Sequence, residues 1–95
     1  MENKKSYTLI DNKEKSRFEF QIGEHVAVSD YNISSNTISL THLGVPKSLE
    51  NQGIASALML ESLKNIEQRK LKVIPICSFA VTYFQRHPEW QKLLA

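Results

Sequence analysis

The sequence is poor in everything that braces a small protein covalently or carries it into a membrane. It has one cysteine, one tryptophan, three glycines and three prolines in 95 residues. The lone Cys77 has no internal disulfide partner, which fits a reducing compartment and leaves a free thiol. No apolar run approaches the ~20 residues that a membrane span needs. The stretch from Met1 to Ile10 runs straight into charge and lacks the apolar core of a signal peptide, so a cytoplasmic address is expected, with no membrane contact. The 12 basic and 10 acidic residues are scattered and leave a net charge of +2. Without a dense basic block, nucleic acid is not expected as a partner. No repeat, low-complexity segment or metal-ligand pattern is present, and no metal is expected.

What is there is an ordinary soluble composition, 41% hydrophobic and 23% charged. A chain of this length buries roughly 65% of its unfolded surface. It supports one core, and residues 1–95 are expected to form a single domain.

The first half has the period of strands. Ser6 to Ile10 carries β-formers, and Asp11 to Lys15 is polar turn material. Phe18, Phe20 and Ile22 alternate with Glu19 and Gln21. After a turn at Gly23-Glu24, a longer strand with Val26, Val28, Tyr31 and Ile33 has an irregularity near Ser29-Asp30. Ser34-Ser35-Asn36 turns the chain into Thr37 to Val45, with Ile38, Leu40 and His42 on one face and Ser39, Thr41 and Leu43 on the other. Connections this short make the four strands an antiparallel meander.

From Gly53 the period changes. Ala55, Leu58, Met59, Ser62, Leu63 and Ile66 fall on one stripe of a helix of about four turns. Leu71 to Ile76 is a short strand that holds Pro75 and is therefore at an edge or splayed from its neighbour. A second helix spans Ser78 to Arg86 and stops before His87-Pro88, and the tail with Trp90, Leu93 and Leu94 packs back on the domain. The expected class is α+β, in the order β-β-β-β-α-β-α, with a parallel pair only between the fourth and fifth strands. Ligands of such a crossover sit at the amino end of its helix.

That end is Val45-Pro46-Lys47-Ser48-Leu49-Glu50-Asn51-Gln52-Gly53-Ile54-Ala55-Ser56. Successive backbone N–H groups there suit an anion, and Gly53 lets it approach without a Cβ in the way. An isolated glycine more often only eases entry into a helix, and spacing alone does not decide.

Glu50-Asn51-Gln52-Gly53-Ile54-Ala55 resembles the pyrophosphate loop of the GCN5-related N-acetyltransferase (GNAT) family. Val45-Pro46, Gln52 to Ala55, Val73-Ile74-Pro75-Ile76-Cys77 and His87-Pro88-Glu89-Trp90 are together similar to its minimal, YjdJ-type members. The resemblance implies acetyl-CoA bound where strands four and five splay. The pyrophosphate would lie on Asn51, Gln52, Gly53, Ile54, Ala55 and Ser56, and the pantetheine arm on backbone groups near Leu43 and Val45. Acetyl transfer to an amine acceptor is then expected, the alternative being a non-catalytic CoA-binding or protein-interaction module on the same frame. Glu50-Asn51 departs from the family's usual Arg-Gly: Glu50 turns to solvent or lowers affinity, whereas Asn51 tolerates the left-handed region. Phe84 stands where larger members have a tyrosine that protonates the CoA thiolate.

Cys77, beside the expected thioester at a helix start, is a candidate acyl carrier, a candidate proton donor, or a small buried hydrophobe. His42 is a candidate base for the acceptor amine, or a plain sheet histidine. His87 is expected to pack or cap, His25 has no evident chemistry, and Phe79, Tyr83 and Trp90 suit the core as well as a ligand. With no helices between the first two strands, the acceptor side should be open.

Overall fold

Period-two alternation carries residues up to Gly44 into a meander, and the switch to helical spacing after Gly53 closes it. The computed structural model describes residues 7–95. Its strands are β1 (Leu9–Asn12), β2 (Arg17–Ile22), β3 (His25–Ser34), β4 (Thr37–Gly44) and β5 (Lys72–Pro75), and they lie in one sheet in that order. Neighbours are antiparallel up to β4, and β4 and β5 are parallel. Helix α1 (Ile54–Gln68) is the crossover, and α2 (Ser78–Arg86) follows β5. This is the expected α+β order, with a parallel last pair.

The hairpins turn on backbone that bends the left-handed way. Ile22 pairs with His25 across Gly23 (φ 61°), and Ser34 pairs with Thr37 across Ser35 (φ 57°). Positive φ at the first loop position matches the right-handed twist of the flanking strands. The first strand lies later than the composition suggests, at Leu9–Asn12, and the turn moves to residues 13–16. Ser6, part of the expected first strand, lies outside the described residues. Asp11 looks like turn material, yet it sits in the sheet because partners satisfy it. Tyr31 donates its hydroxyl to Asp11 at 2.5 Å, and Arg69, just past α1, pairs with it at 3.0 Å. Burial, with the Asp11 carboxylate beside it, pushes the Tyr31 phenol up to about 12.

Residues paired across strands share a face. On the inner face Phe18, Phe20, Ala27, Tyr31, Ile38, Leu40 and Val73 pack against Leu58, Met59, Leu63 and Ile66 of α1 in one core. Each large side chain so buried contributes roughly 1.5–3 kcal/mol. Ser62, in the middle of this stripe, returns its hydroxyl to the Leu58 carbonyl at 2.7 Å. α2 adds Ala80, Tyr83 and Phe84. The tail forms a 3-10 turn (Pro88–Leu93) that buries Leu93, and the Ala95 N–H donates to the Val73 carbonyl at 2.9 Å, along the outer edge of β5.

A bulge corrects the expected faces of β4. Tyr31 pairs with Leu40 and Asp30 with His42, so Thr41 is an extra residue. The extra residue reverses the alternation beyond it. Leu43 therefore joins the inner face opposite Ser29, and His42 joins the outer face opposite Asp30, away from Ile38 and Leu40. The irregularity expected near Ser29-Asp30 is thus real, but its additional residue belongs to the partner strand.

The outer face is open, with Ile10 at 41% and Ile74 at 43% exposure. Its polar centre is Glu19, which accepts from Arg17 at 2.6 Å and from Asn12 at 3.0 Å. The Arg17 hydrogen bond holds the Glu19 carboxyl below its ordinary 4.5, against the opposing effect of burial. A depressed folded-state pKa means that this stabilisation is present above the unfolded pKa and is lost as pH falls through the folded one. Glu19→Gln is expected to lower the urea midpoint at pH 7, and the gap from wild type should narrow as pH falls below the unfolded carboxylate range. A gap of equal size above and below that range would show that charge plays no part.

Candidate functional site

The site begins where the parallel ladder stops. β4 and β5 pair from Thr37↔Lys72 to Leu40↔Pro75 and no further. The N–H groups of Ile76 and Cys77 both donate to the Leu40 carbonyl, at 3.0 and 3.1 Å, and the chain then turns into α2. β4 continues to Gly44 with no strand among the described residues beside it on that edge. A wedge-shaped slot opens between the diverging strands.

Beyond Gly44 the chain passes through Val45-Pro46 into a 3-10 turn (Lys47–Leu49), then reaches α1 through two left-handed residues, Asn51 (φ 67°) and Gly53 (φ 79°). Asn51 thus takes the conformation expected of it. Gly53 is the N-cap of α1, and it provides no side chain to cap the helix. The first hydrogen bond of the helix runs from the Ala57 N–H to the Gly53 carbonyl at 3.0 Å. The N–H groups of Ile54, Ala55 and Ser56 therefore have no acceptor within the helix, and no acidic residue lies in its first turn. The positive end of a 15-residue helix is left uncompensated there.

These groups border a cleft of about 350 Å3. Val45, Leu49, Ile54 and Phe79 give it apolar walls, while Glu50, Asn51, Gly53, Ala55 and Ser56 form its polar end. Such a volume suits part of a small-molecule ligand with an apolar arm and an anionic head. Of the residues expected to hold the cofactor, Val45, Asn51, Gly53, Ile54, Ala55 and Ser56 line this cleft together. Gln52 is exposed and does not line it. Leu43 is half-buried against the core, with its backbone on the unpaired length of β4. Phe79 and Leu49 are wall residues that the sequence reading does not assign. The signal for Phe79 was its place in the first turn of the helix that starts at the slot.

Cys77 caps α2: its backbone is extended, and its Sγ accepts the Ala80 N–H at 3.4 Å. The thiol is half-buried; the backbone of Cys77 stands where the ladder ends, but the residue does not line the cleft. His42 is exposed on the outer face, and its ring lies over Gly44, where a Cβ would come within 3.2 Å of Nε2. Phe84 is 3% exposed and belongs to the core. Tyr83 is also buried, and burial, reinforced by Glu89, pushes its phenol up. His87 ends α2 as expected of a capping residue: its ring stacks on Tyr83 at 3.9 Å and its Nδ1 lies 2.9 Å from the Tyr83 carbonyl. Trp90 packs against the core from the tail. Among the described residues no group of His, Cys, Asp and Glu side chains is placed to hold a metal, and no helix is long and apolar enough to cross a membrane.

Residues 17–93 match the family described as GCN5-related N-acetyl-transferase. The solution structure of a GCN5-like protein from Staphylococcus aureus superposes with a TM-score of 0.73 at 23% identity, over 94% of this chain and 88% of that one. At that identity the likeness is one of fold. No curated protein matches the chain.

The backbone at residue 53 carries a simple expectation. A Cβ there meets nothing within 4 Å, so substitution is costly through φ alone. Gly53→Ala should destabilise the protein by about 1 kcal/mol in urea unfolding, with Gln52→Ala near neutral. Equal stability of Gly53→Ala and wild type would mean that the left-handed cap is not needed.

Proposed function

From a chain that belongs to the GCN5-related N-acetyltransferase family, we propose an acetyl-CoA-dependent transfer of an acetyl group to an amine, through Cys77. The observation that carries this reading is the uncapped start of α1 facing an open cleft. The N–H groups of Ile54, Ala55 and Ser56 hold the pyrophosphate, and Gly53 keeps the approach free of a Cβ. Asn51 shapes the turn, and Gln52 stays in solvent beside it. The pantetheine arm enters the slot, where backbone groups near Leu43 and Val45 lack a neighbouring strand. Its thioester end reaches the closed end of the slot, at Cys77.

The position of Cys77 favours a role as acyl carrier. Its sulfur caps the N-terminus of α2, where it accepts the Ala80 N–H, and a thiol is a competent acyl carrier. The Cys77 thiolate attacks the thioester carbonyl, the carbon–sulfur bond to CoA breaks, and the departing CoA thiolate takes up the proton that Cys77 released. A neutral amine then attacks the S-acetyl group and expels the Cys77 thiolate, and His42 takes the proton that the new amide loses. Glu50, at the rim of the anion end, opposes the charge of the pyrophosphate and lowers affinity for the cofactor.

Millimolar CoA is expected to raise the melting temperature of wild type and of Cys77→Ala, but not of a Gly53→Val variant. Acetyl-CoA should leave an acetyl adduct, seen by intact-mass spectrometry, on wild type and not on Cys77→Ala. No thermal shift would overturn the binding reading. Amine-dependent CoA release at an unchanged rate in Cys77→Ala would overturn the carrier role and leave binding intact. A thermal shift without adduct or CoA release would mark a binding module instead.

A further inference from the structure

The outer face of the sheet holds a carboxylate that no side chain among the described residues pairs with. The strand register places Arg17, Asp30 and His42 in one row across β2, β3 and β4. The natural partner of Asp30 in that row would be Arg17, directly opposite. Arg17 instead turns along its own strand to Glu19, at 2.6 Å. Asp30, half-buried, is left with no ion pair or side-chain hydrogen bond among the described residues, although its backbone carbonyl accepts the Thr41 hydroxyl at 3.3 Å. That bond ties the bulge to β3, and the bulge is what turns His42 onto this face. The imidazole then reclines over Gly44, where the missing Cβ gives it a seat. Past the end of the ladder on the neighbouring strand stands Ile76, 57% exposed.

We infer that Asp30, His42 and Gly44 form the acceptor subsite, and that it takes an aliphatic primary amine carrying a second positive charge a few carbons away. This deepens the acetyl-transfer reading and rests on it for the chemistry, but the binding step stands on its own geometry. The reacting amine lies at the mouth of the slot, beside His42. The remote ammonium meets the Asp30 carboxylate, whose half-buried position weakens screening by water. The alkyl stem runs between them over the exposed sheet, and the amine end faces Ile76 at the slot. Glu19 does not compete for the ammonium, because Arg17 and Asn12 already satisfy it. Gly44 is a positioning residue: a methyl group there displaces the imidazole without touching the carboxylate.

The test is an amide NMR titration of the CoA-saturated protein and of the free protein with 1,4-diaminobutane, n-butylamine and a short lysine peptide. The diamine should shift the Asp30, His42 and Ile76 resonances and bind about fivefold more tightly than butylamine. Asp30→Asn should erase that difference, and Asp30→Glu should restore part of it. The peptide arm separates a free polyamine from a protein lysine as the source of the same chemistry. In turnover, Asp30→Asn should raise KM for the diamine and leave KM for butylamine unchanged, while Gly44→Ala should lower kcat with little change in KM. If the diamine binds no better than butylamine, or moves none of these resonances, the subsite is overturned even where CoA still stabilises the protein. Diamine binding without a CoA shift would sink the acetyl-transfer reading and keep the subsite.

Discussion

The Leu40 carbonyl accepts two N–H groups, those of Ile76 and Cys77, and the cleft end of the molecule is built around that point. In a continuing parallel ladder, successive donors of β5 would reach successive carbonyls of β4. Here two consecutive donors converge on one acceptor, so β5 bends off and starts α2. Pro75, the last residue of β5, provides no N–H for a ladder at that position. On the other edge of β4, Thr41 adds an unpaired residue at the next position. The strand is thus released on one side and twisted on the other within two residues. Slot, thiol and histidine all follow from that: Cys77 becomes a helix cap at its closed end, and His42 rotates to its outer rim.

The anion end of the cleft is built from backbone rather than from cationic side chains. α1 provides a partial positive charge and unsatisfied N–H groups, with neither a cap nor an acid in its first turn to quench them. That arrangement costs some stability, because a capping side chain would contribute about 1 kcal/mol. A helix start left open at that cost, beside a cleft, is better matched to a bound anion than to helix entry alone. Glu50 sits at the same rim and works in the opposite sense. The balance favours a ligand with several anionic oxygens spread over several N–H donors, since one carboxylate offsets only part of such a contact.

Much of this was legible in the residues, and the parts that were not share a cause. Local signals read well where one residue type forces one backbone state. His87-Pro88 ended α2 at Arg86, Asn51 took the left-handed conformation expected of it, and Pro75 marked the splay. Partnering through space was invisible. Asp11 reads as a turn residue until Tyr31 and Arg69 are brought to it by β3 and α1. A strict period of two put His42 beside Leu40, and only the pairing with β3 reveals Thr41 as the extra residue. Gln52 belongs to the motif by spacing, but the two left-handed residues that flank it swing it to the surface, while Phe79 joins the cleft from a helix that the motif does not include.

The two faces of the sheet divide the labour, and the division follows from one short connection. β1 and β2 are joined by residues 13–16 alone, too few to form a helix that would cover the outer face. The inner face therefore carries the whole core, with α1 and α2 packed into it. An open face has to satisfy its own polar groups, and it does so within the strands: Arg17 to Glu19, and Asn12 to Glu19. Once those groups are used, what is left over on the face is informative. Asp30 and His42 are left over and adjacent, and His42 stands on the strand from which β5 diverges. With no covering helix, a polar group on this face finds its partners within the strands, and among the described residues Asp30 has no ion pair there.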